Sequence, residues 1–248
     1  MKTRFFALAA LLFGMAACQT DPMGGLEVDA NGEAAVSVSV ALPEGATRAA
    51  GSDSALGAID TWWNETTQAN YDIRFILEVY EGEELAKDRM VVCGDEDEAT
   101  FNFRLVPGRD YKFVVWADFV NQGSEADLHY DTSKGLRDVE IKNAQWTVID
   151  ESRDAYTHAV AVNNYSGTSI IEPIILTRPF AKLRVVTNDI KEMKSVRPET
   201  VKVNYFSTGF YTSFDAFEQK PLDQTYSGHE LVVDLTEDTY SGSTSTCL

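Results

Sequence analysis

Cysteine, histidine and cations are all scarce in this chain, and each shortage excludes a class of function. Cys18, Cys93 and Cys247 are the only cysteines, and His129, His158 and His229 the only histidines. No set of them has the spacing of a zinc site. A G-x-S-x-G nucleophile elbow is absent, as is a glycine-rich phosphate loop, so no catalytic residues, metal or cofactor are expected and the chain is not read as an enzyme. Asp95-Glu96-Asp97-Glu98 lacks the central glycine and closing glutamate of an EF-hand loop and reads as a charged hairpin tip. With 21 Lys and Arg against 39 Asp and Glu, there is no basic surface for nucleic acid. No stretch keeps a helical apolar period over twelve residues. The longest apolar run, Phe5 to Met15, falls short of the roughly 20 residues that cross a bilayer as a helix.

What the N-terminus does have is a secretory signal. Lys2 and Arg4 form a charged start, Phe5–Met15 an apolar core, and Ala16-Ala17 a small-residue exit, so residues 1–17 read as a signal peptide. Met15-Ala16-Ala17-Cys18 resembles a bacterial lipobox with Met in place of Leu. The expectation is therefore that Cys18 carries lipid and ties the exported protein to the outer membrane or cell surface. The bland alternative is an ordinary signal peptide beside a stray cysteine. Cleavage before Cys18 removes two cations and no acid, which takes the net charge from −18 to −20. Anionic lipid would repel such a surface, so the lipid itself must do the anchoring. The acidity reads as a solvated exterior rather than as calcium capture. Whether Cys93 and Cys247 pair in an oxidising compartment is open at this level.

Beyond the signal, the chain reads as strands. Residues 18–48 combine a tether rich in Gly, Asp and Pro over Gln19–Glu33 with a first strand, Ala34–Leu42, whose Val36, Val38, Val40 and Leu42 share one face. A loop of small residues follows and contains Arg48 and Ala49. Trp62-Trp63 cannot both point inward from a strand, so either one packs and one is exposed or the pair closes an end of the sandwich; a carbohydrate-stacking platform is the functional alternative. Tyr71–Tyr80 alternates, Glu81–Glu84 turns, and Lys87–Cys93 pairs back. Ala99–Leu105 and Tyr111–Asp118 flank the Pro107-Gly108 turn, with Val114 and Trp116 opposite Phe113 and Val115. Asp150–Ala161 is expected as a short helix or turn region, and Thr200–Phe206 and His229–Leu235 as strands. Strand spacings of about 8–12 residues predict an all-β Greek-key sandwich over residues 49–248.

The stretch Ile170–Asp189 has the strongest strand character, interrupted at Arg178-Pro179-Phe180, and is expected to form the middle of the sheet. Phe180 is expected to be a buried aromatic. Leu-Thr-Arg-Pro-Phe-Ala-Lys-Leu (176–183) resembles a signature of fimbrillin-like lipoproteins of Bacteroidales, the group that contains type V pilus subunits. Asp154-Ala155-Tyr156 stands where an Asp-Ala-aromatic segment stands in that group, and Ala46-Thr47-Arg48-Ala49 follows the first strand as in fimbrillin-like precursors.

The resemblance implies a transthyretin-like or fimbrillin-like sandwich and a structural, adhesive role at the cell surface. In pilus-forming members a trypsin-like protease cuts after such an arginine, making Arg48–Ala49 the candidate processing site. A β-strand exchanged between subunits then completes a neighbour's sheet, which would make other pilus subunits the partners. The bland alternative for Arg48 is an exposed turn that happens to contain arginine. Family members usually continue into a further β region with an Asn-Tyr-Arg-Thr-Asn-like segment, which this sequence lacks before Leu248. A short or truncated variant, and a monomeric surface lipoprotein binding glycan or protein, are therefore the other readings.

Overall fold

Two strands, β2 (Tyr71–Glu81) and β5 (Tyr111–Asn121), lie side by side in antiparallel register from Tyr71↔Asn121 to Tyr80↔Lys112 and are buried on both faces. They form the middle of the molecule. The computed structural model describes residues 27–43, 63–142, 150–168, 170–180, 184–186, 199–222, 225–234 and 245–247. Within these, β3 (Glu84–Gly94) pairs with β2, and β8 (Ala155–Val162) pairs with β5, giving a sheet of order β3-β2-β5-β8. A second sheet of order β4-β1-β9 joins β1 (Ala34–Ala41), β4 (Glu98–Leu105) and β9 (Ile170–Ile175). Short strands β6 (Tyr130–Asp131), β7 (Val139–Ile141), β12 (Ser213–Asp215) and β13 (Lys220–Pro221) make a small sheet of order β13-β12-β7-β6. Two further antiparallel pairs join β10 (Arg184–Val186) with β15 (Ser245–Cys247), and β11 (Thr200–Tyr211) with β14 (Thr225–Asp234).

The alternation of each central strand explains the layering. Ile73, Phe75, Leu77 and Val79 of β2, with Phe113, Val115 and Ala117 of β5, pack against Val36, Val38, Val40, Phe101 and Leu105 of the second sheet. That is the sandwich core. The opposite faces of the same strands are apolar too: Ile76, Tyr80, Val114 and Trp116 pack on Tyr130, Leu136, Val139, Ala216 and Phe217. A strand whose two faces are both covered needs two covering layers, and the small sheet supplies the second. The chain is thus an all-β sandwich with an added layer.

Several expectations are corrected by this arrangement. The described part of 170–189, residues 170–180 and 184–186, is not the middle of a sheet. β9 is an outer strand held through β1 alone among the described strands, and β10 belongs to a separate pair. The physical cue is Pro173 inside β9, since proline cannot donate a ladder hydrogen bond and is confined to edges and bulges. Between Val38↔Ile171 and Val40↔Ile174 the register shifts by one residue, at Glu172-Pro173. Asp150–Ala161 is not helical beyond one 3₁₀ turn at Glu151–Arg153, and continues as β8. Asp95–Asp97 is not a hairpin tip, because it links β3 to β4 in the facing sheet. Asp29–Glu33 is an ordered turn rather than loose tether: Asp29 Oδ1 accepts from the backbone N–H of Asn31 and Glu33 at 2.9 and 3.0 Å, Gly32 takes φ of +77°, and Val28 bridges to Ala34.

Phe180 is 38% exposed and stacks nearly parallel on Tyr130, ring centroids 6.3 Å apart. It is a rim residue, not a core aromatic. Phe180→Ala should therefore cost about 1–2 kcal/mol in urea unfolding rather than the roughly 3–5 kcal/mol of a buried aromatic.

Candidate functional site: the first strand and its slot

β1 occupies a slot between β4 and β9. Its pairing with β4 is antiparallel and unbroken from Ala34↔Leu105 to Ala41↔Glu98, while its pairing with β9 is parallel. Val36, Val38, Val40 and Leu42 point into the sandwich core and are buried. Ser37, Ser39 and Ala41 face outward, where the Ser39 and Thr100 hydroxyls lie 3.3 Å apart.

Both ends of the strand are fastened. At the start, Arg104 donates to the Glu33 carbonyl at 2.7 Å, Lys87 pairs with the Glu33 carboxylate at 2.6 Å, and Tyr165 donates its hydroxyl to the Ala35 carbonyl at 3.0 Å. At the other end, the Leu42 N–H donates to the Asp97 carbonyl and the Leu176 N–H to the Ala41 carbonyl, each at 2.9 Å. The slot thus recognises backbone on both edges and alternate apolar side chains on one face. Its chemistry is hydrogen bonding and burial.

Where β9 ends, the chain changes sheets. The N–H and C=O of Thr177 exchange hydrogen bonds with those of Thr157 on β8, at 3.0 and 2.8 Å. One residue later Arg178 Nε meets Asp154 Oδ1 and Oδ2 at 2.9 and 3.0 Å, and Nη2 meets Oδ2 at 2.8 Å and the Tyr156 hydroxyl at 3.0 Å. Tyr156 in turn donates to Asp154 Oδ2 at 2.9 Å. Burial penalises the charge on Arg178, yet the hydrogen bonds and charge of Asp154 outweigh it and raise the guanidinium pKa. The Asp-Ala-Tyr and Arg-Pro-Phe-Ala segments, some twenty residues apart, are therefore two halves of one ion pair.

A second buried network escaped the sequence reading. Arg74 on β2 grips Asp118 on β5 with Nε at 2.9 Å and Nη2 at 2.7 Å, while its Nη1 reaches Asp127 at 2.7 Å and the Glu125 carbonyl at 2.8 Å. Trp116 adds an Nε1 hydrogen bond to Asp118 at 3.2 Å. The available signal was the company Arg74 and Asp118 keep: they share faces with Ile76, Tyr80, Val114 and Trp116, which solvent would not suit.

His129, Ser152 and Asp150 also meet. The Ser152 hydroxyl donates to Asp150 Oδ1, and His129 Nε2 lies 2.7 Å from Ser152 Oγ. The serine stands between the other two, and its single proton is committed to Asp150, which caps the 3₁₀ turn. In a nucleophilic triad the imidazole stands in the middle. Burial, then the charges of Arg153 and Lys142, lowers the His129 pKa.

Of the residues singled out from sequence, Cys18, Arg48, Ala49 and Trp62 lie outside the described residues. Trp63 packs on Phe119 with centroids 5.3 Å apart, and its indole N–H donates to the Asp95 carbonyl at 3.3 Å. Cys93 on β3 is a half-buried free thiol whose pKa burial pushes up to about 11. The side chain of Cys247 lies outside the description.

Among solved structures the chain is similar to a Bacteroides thetaiotaomicron protein described as a candidate polysaccharide-binding protein of the DUF1812 family. The two share 12% identity and a TM-score of 0.48, over 86% of this chain and 71% of that one. It is also similar to a candidate adhesin from Bacteroides ovatus, at 12% identity and a TM-score of 0.39, over 82% and 67% of the two chains. No curated protein matches. A family model matches residues 28–246, from the turn before β1 through β15, and the chain belongs to that family, the family of unknown function DUF6562.

Proposed function

We propose that this protein is a lipid-anchored surface subunit that associates with its neighbours by β-strand addition. The observation that carries the reading is the place of β1. It is the central strand of its sheet, supplies four side chains to the core, and is followed within seven residues by Arg48. Cleavage there would separate β1 and the anchor from the rest of the chain. Departure of β1 would then leave β4 and β9 each with a row of unpaired backbone groups facing an apolar floor. Such a groove binds an extended strand of alternating apolar side chains. The role is non-catalytic, structural and adhesive, with other copies or related subunits as partners. It follows the resemblance to fimbrillin-type pilus subunits.

The test is mild trypsin treatment of the native protein, followed by N-terminal sequencing and sizing. Strand addition predicts a cut after Arg48 and self-association of the product that begins at Ala49. A monomer that resists cutting, or unfolds when cut, would favour the other reading, a monomeric lipoprotein that binds glycan or protein. A stable monomer beginning at Ala49 after loss of β1 would sink strand addition, because β1 would then be dispensable. The anchor is tested separately: Cys18→Ala should move the protein from the membrane fraction to the soluble one. Unchanged fractionation would remove lipidation of Cys18.

A further inference from the structure

The slot has two walls that are built differently. β4 is joined to β3 and β5 by short connections and, although β1 is its ladder partner too, its Ala99, Phe101 and Leu105 are buried in the sandwich core. β9 has β1 as its ladder partner, so a vacant slot leaves it without one among the described strands. What remains to hold it is Ile174, buried in the core, and the contacts immediately beyond it: Leu176 also in the core, the reciprocal Thr157–Thr177 pair, and Arg178 clasping Asp154 and Tyr156. The base of this clasp is firm. Asp154 and Tyr156 are both buried, Thr157 donates its hydroxyl to the Val115 carbonyl at 2.8 Å, and Gln219 donates to the Thr157 hydroxyl at 3.2 Å.

We infer that Arg178, through Asp154 and Tyr156, is a latch that keeps β9 in place as the second wall of the slot while β1 is exchanged for another strand. The inference rests on the strand-addition reading and names a positioning residue for it. An edge that is already ordered spares the incoming strand the entropy of ordering it. The fitting partner runs antiparallel to β4 and parallel to β9. It presents an apolar side chain at every second position toward the core and small polar ones outward, as β1 does.

The experiment nicks the full-length protein after Arg48 with trypsin and quenches the protease. A fluorescent synthetic peptide with the sequence of residues 34–42 is then added; it contains no Lys or Arg. Binding is read by anisotropy, and amide hydrogen exchange reports on β2, β5 and β9 separately. The nicked parent should take up the peptide. Arg178→Ala and Asp154→Asn should weaken uptake at least tenfold and speed exchange in β9, with β2 and β5 still protected. Asp154→Glu, which keeps the carboxylate, should recover part of the affinity. Equal uptake by the parent and Arg178→Ala would overturn the latch and leave strand addition standing. Absence of uptake by a fully nicked parent would overturn both. Loss of protection in β2 and β5 together with β9 would make Arg178 a general fold contact and equally end the latch.

Discussion

Arg74→Ala is expected to lower folding stability by about 3–5 kcal/mol, because it strands the Asp118 carboxylate in the interior with its principal partner gone. Asp118 and Arg74 are 1% and 2% exposed, so water cannot take over the lost contacts. The Arg74 guanidinium is held charged against the penalty of burial by the hydrogen bonds and charges of Asp118 and Asp127. The network also joins β2 and β5 to the 122–132 connection, since Asp127 accepts from the Thr132 N–H and hydroxyl at 3.0 and 2.8 Å. Urea denaturation of the single variant measures the loss. A double variant, Arg74→Met with Asp118→Leu, should regain most of it, because removing both charges leaves neither unpaired. If Arg74→Ala unfolds at the same urea concentration as the parent, the pair contributes nothing and the account of the second layer is wrong.

Val38→Asp is expected to have the other large effect. Val38 is fully buried at the middle of β1, opposite Phe101 on β4 and Ile171 on β9. An aspartate there must be buried without a partner or expel the strand, and either costs several kcal/mol. The expected result is protein with the β2–β5 sheet protected from hydrogen exchange, β1 unprotected, and spontaneous self-association. Ser39→Asp, one residue away on the outward face, should change stability by no more than about 0.5 kcal/mol. The contrast between adjacent positions is what the measurement reads. Equal tolerance at both would mean that β1 does not sit in the slot as described.

Much of the sandwich was legible in the residues themselves. Period-two alternation in 34–42, 71–80, 99–105 and 111–118 marks the strands whose inward residues form the first core, because a pleated strand sends successive side chains to opposite faces. Turn chemistry placed the β2–β3 hairpin, where Gly82 takes a φ of +63°. The scarcity of cysteine, histidine and cations was equally plain in the residues. Alternation alone cannot say which strands are neighbours, and here it ranked the wrong segment as central. In Ile170–Ile175, Ile174 is buried in the core and Ile175 is exposed, and the proline and register shift belong to an outer strand. Arg74 and Asp118 share faces with large apolar residues in the sequence, but nothing local says what covers them. What encloses them comes from residues 125–130: the Glu125 carbonyl and Asp127 bind Arg74, and Trp116, which donates to Asp118, packs on Tyr130. Pairing between segments so distant in the chain depends on long-range packing and charge compensation, which no local window of sequence contains. The Arg178–Asp154 clasp is the same lesson in reverse: two short motifs were visible separately, and only the folded chain shows that one neutralises the other.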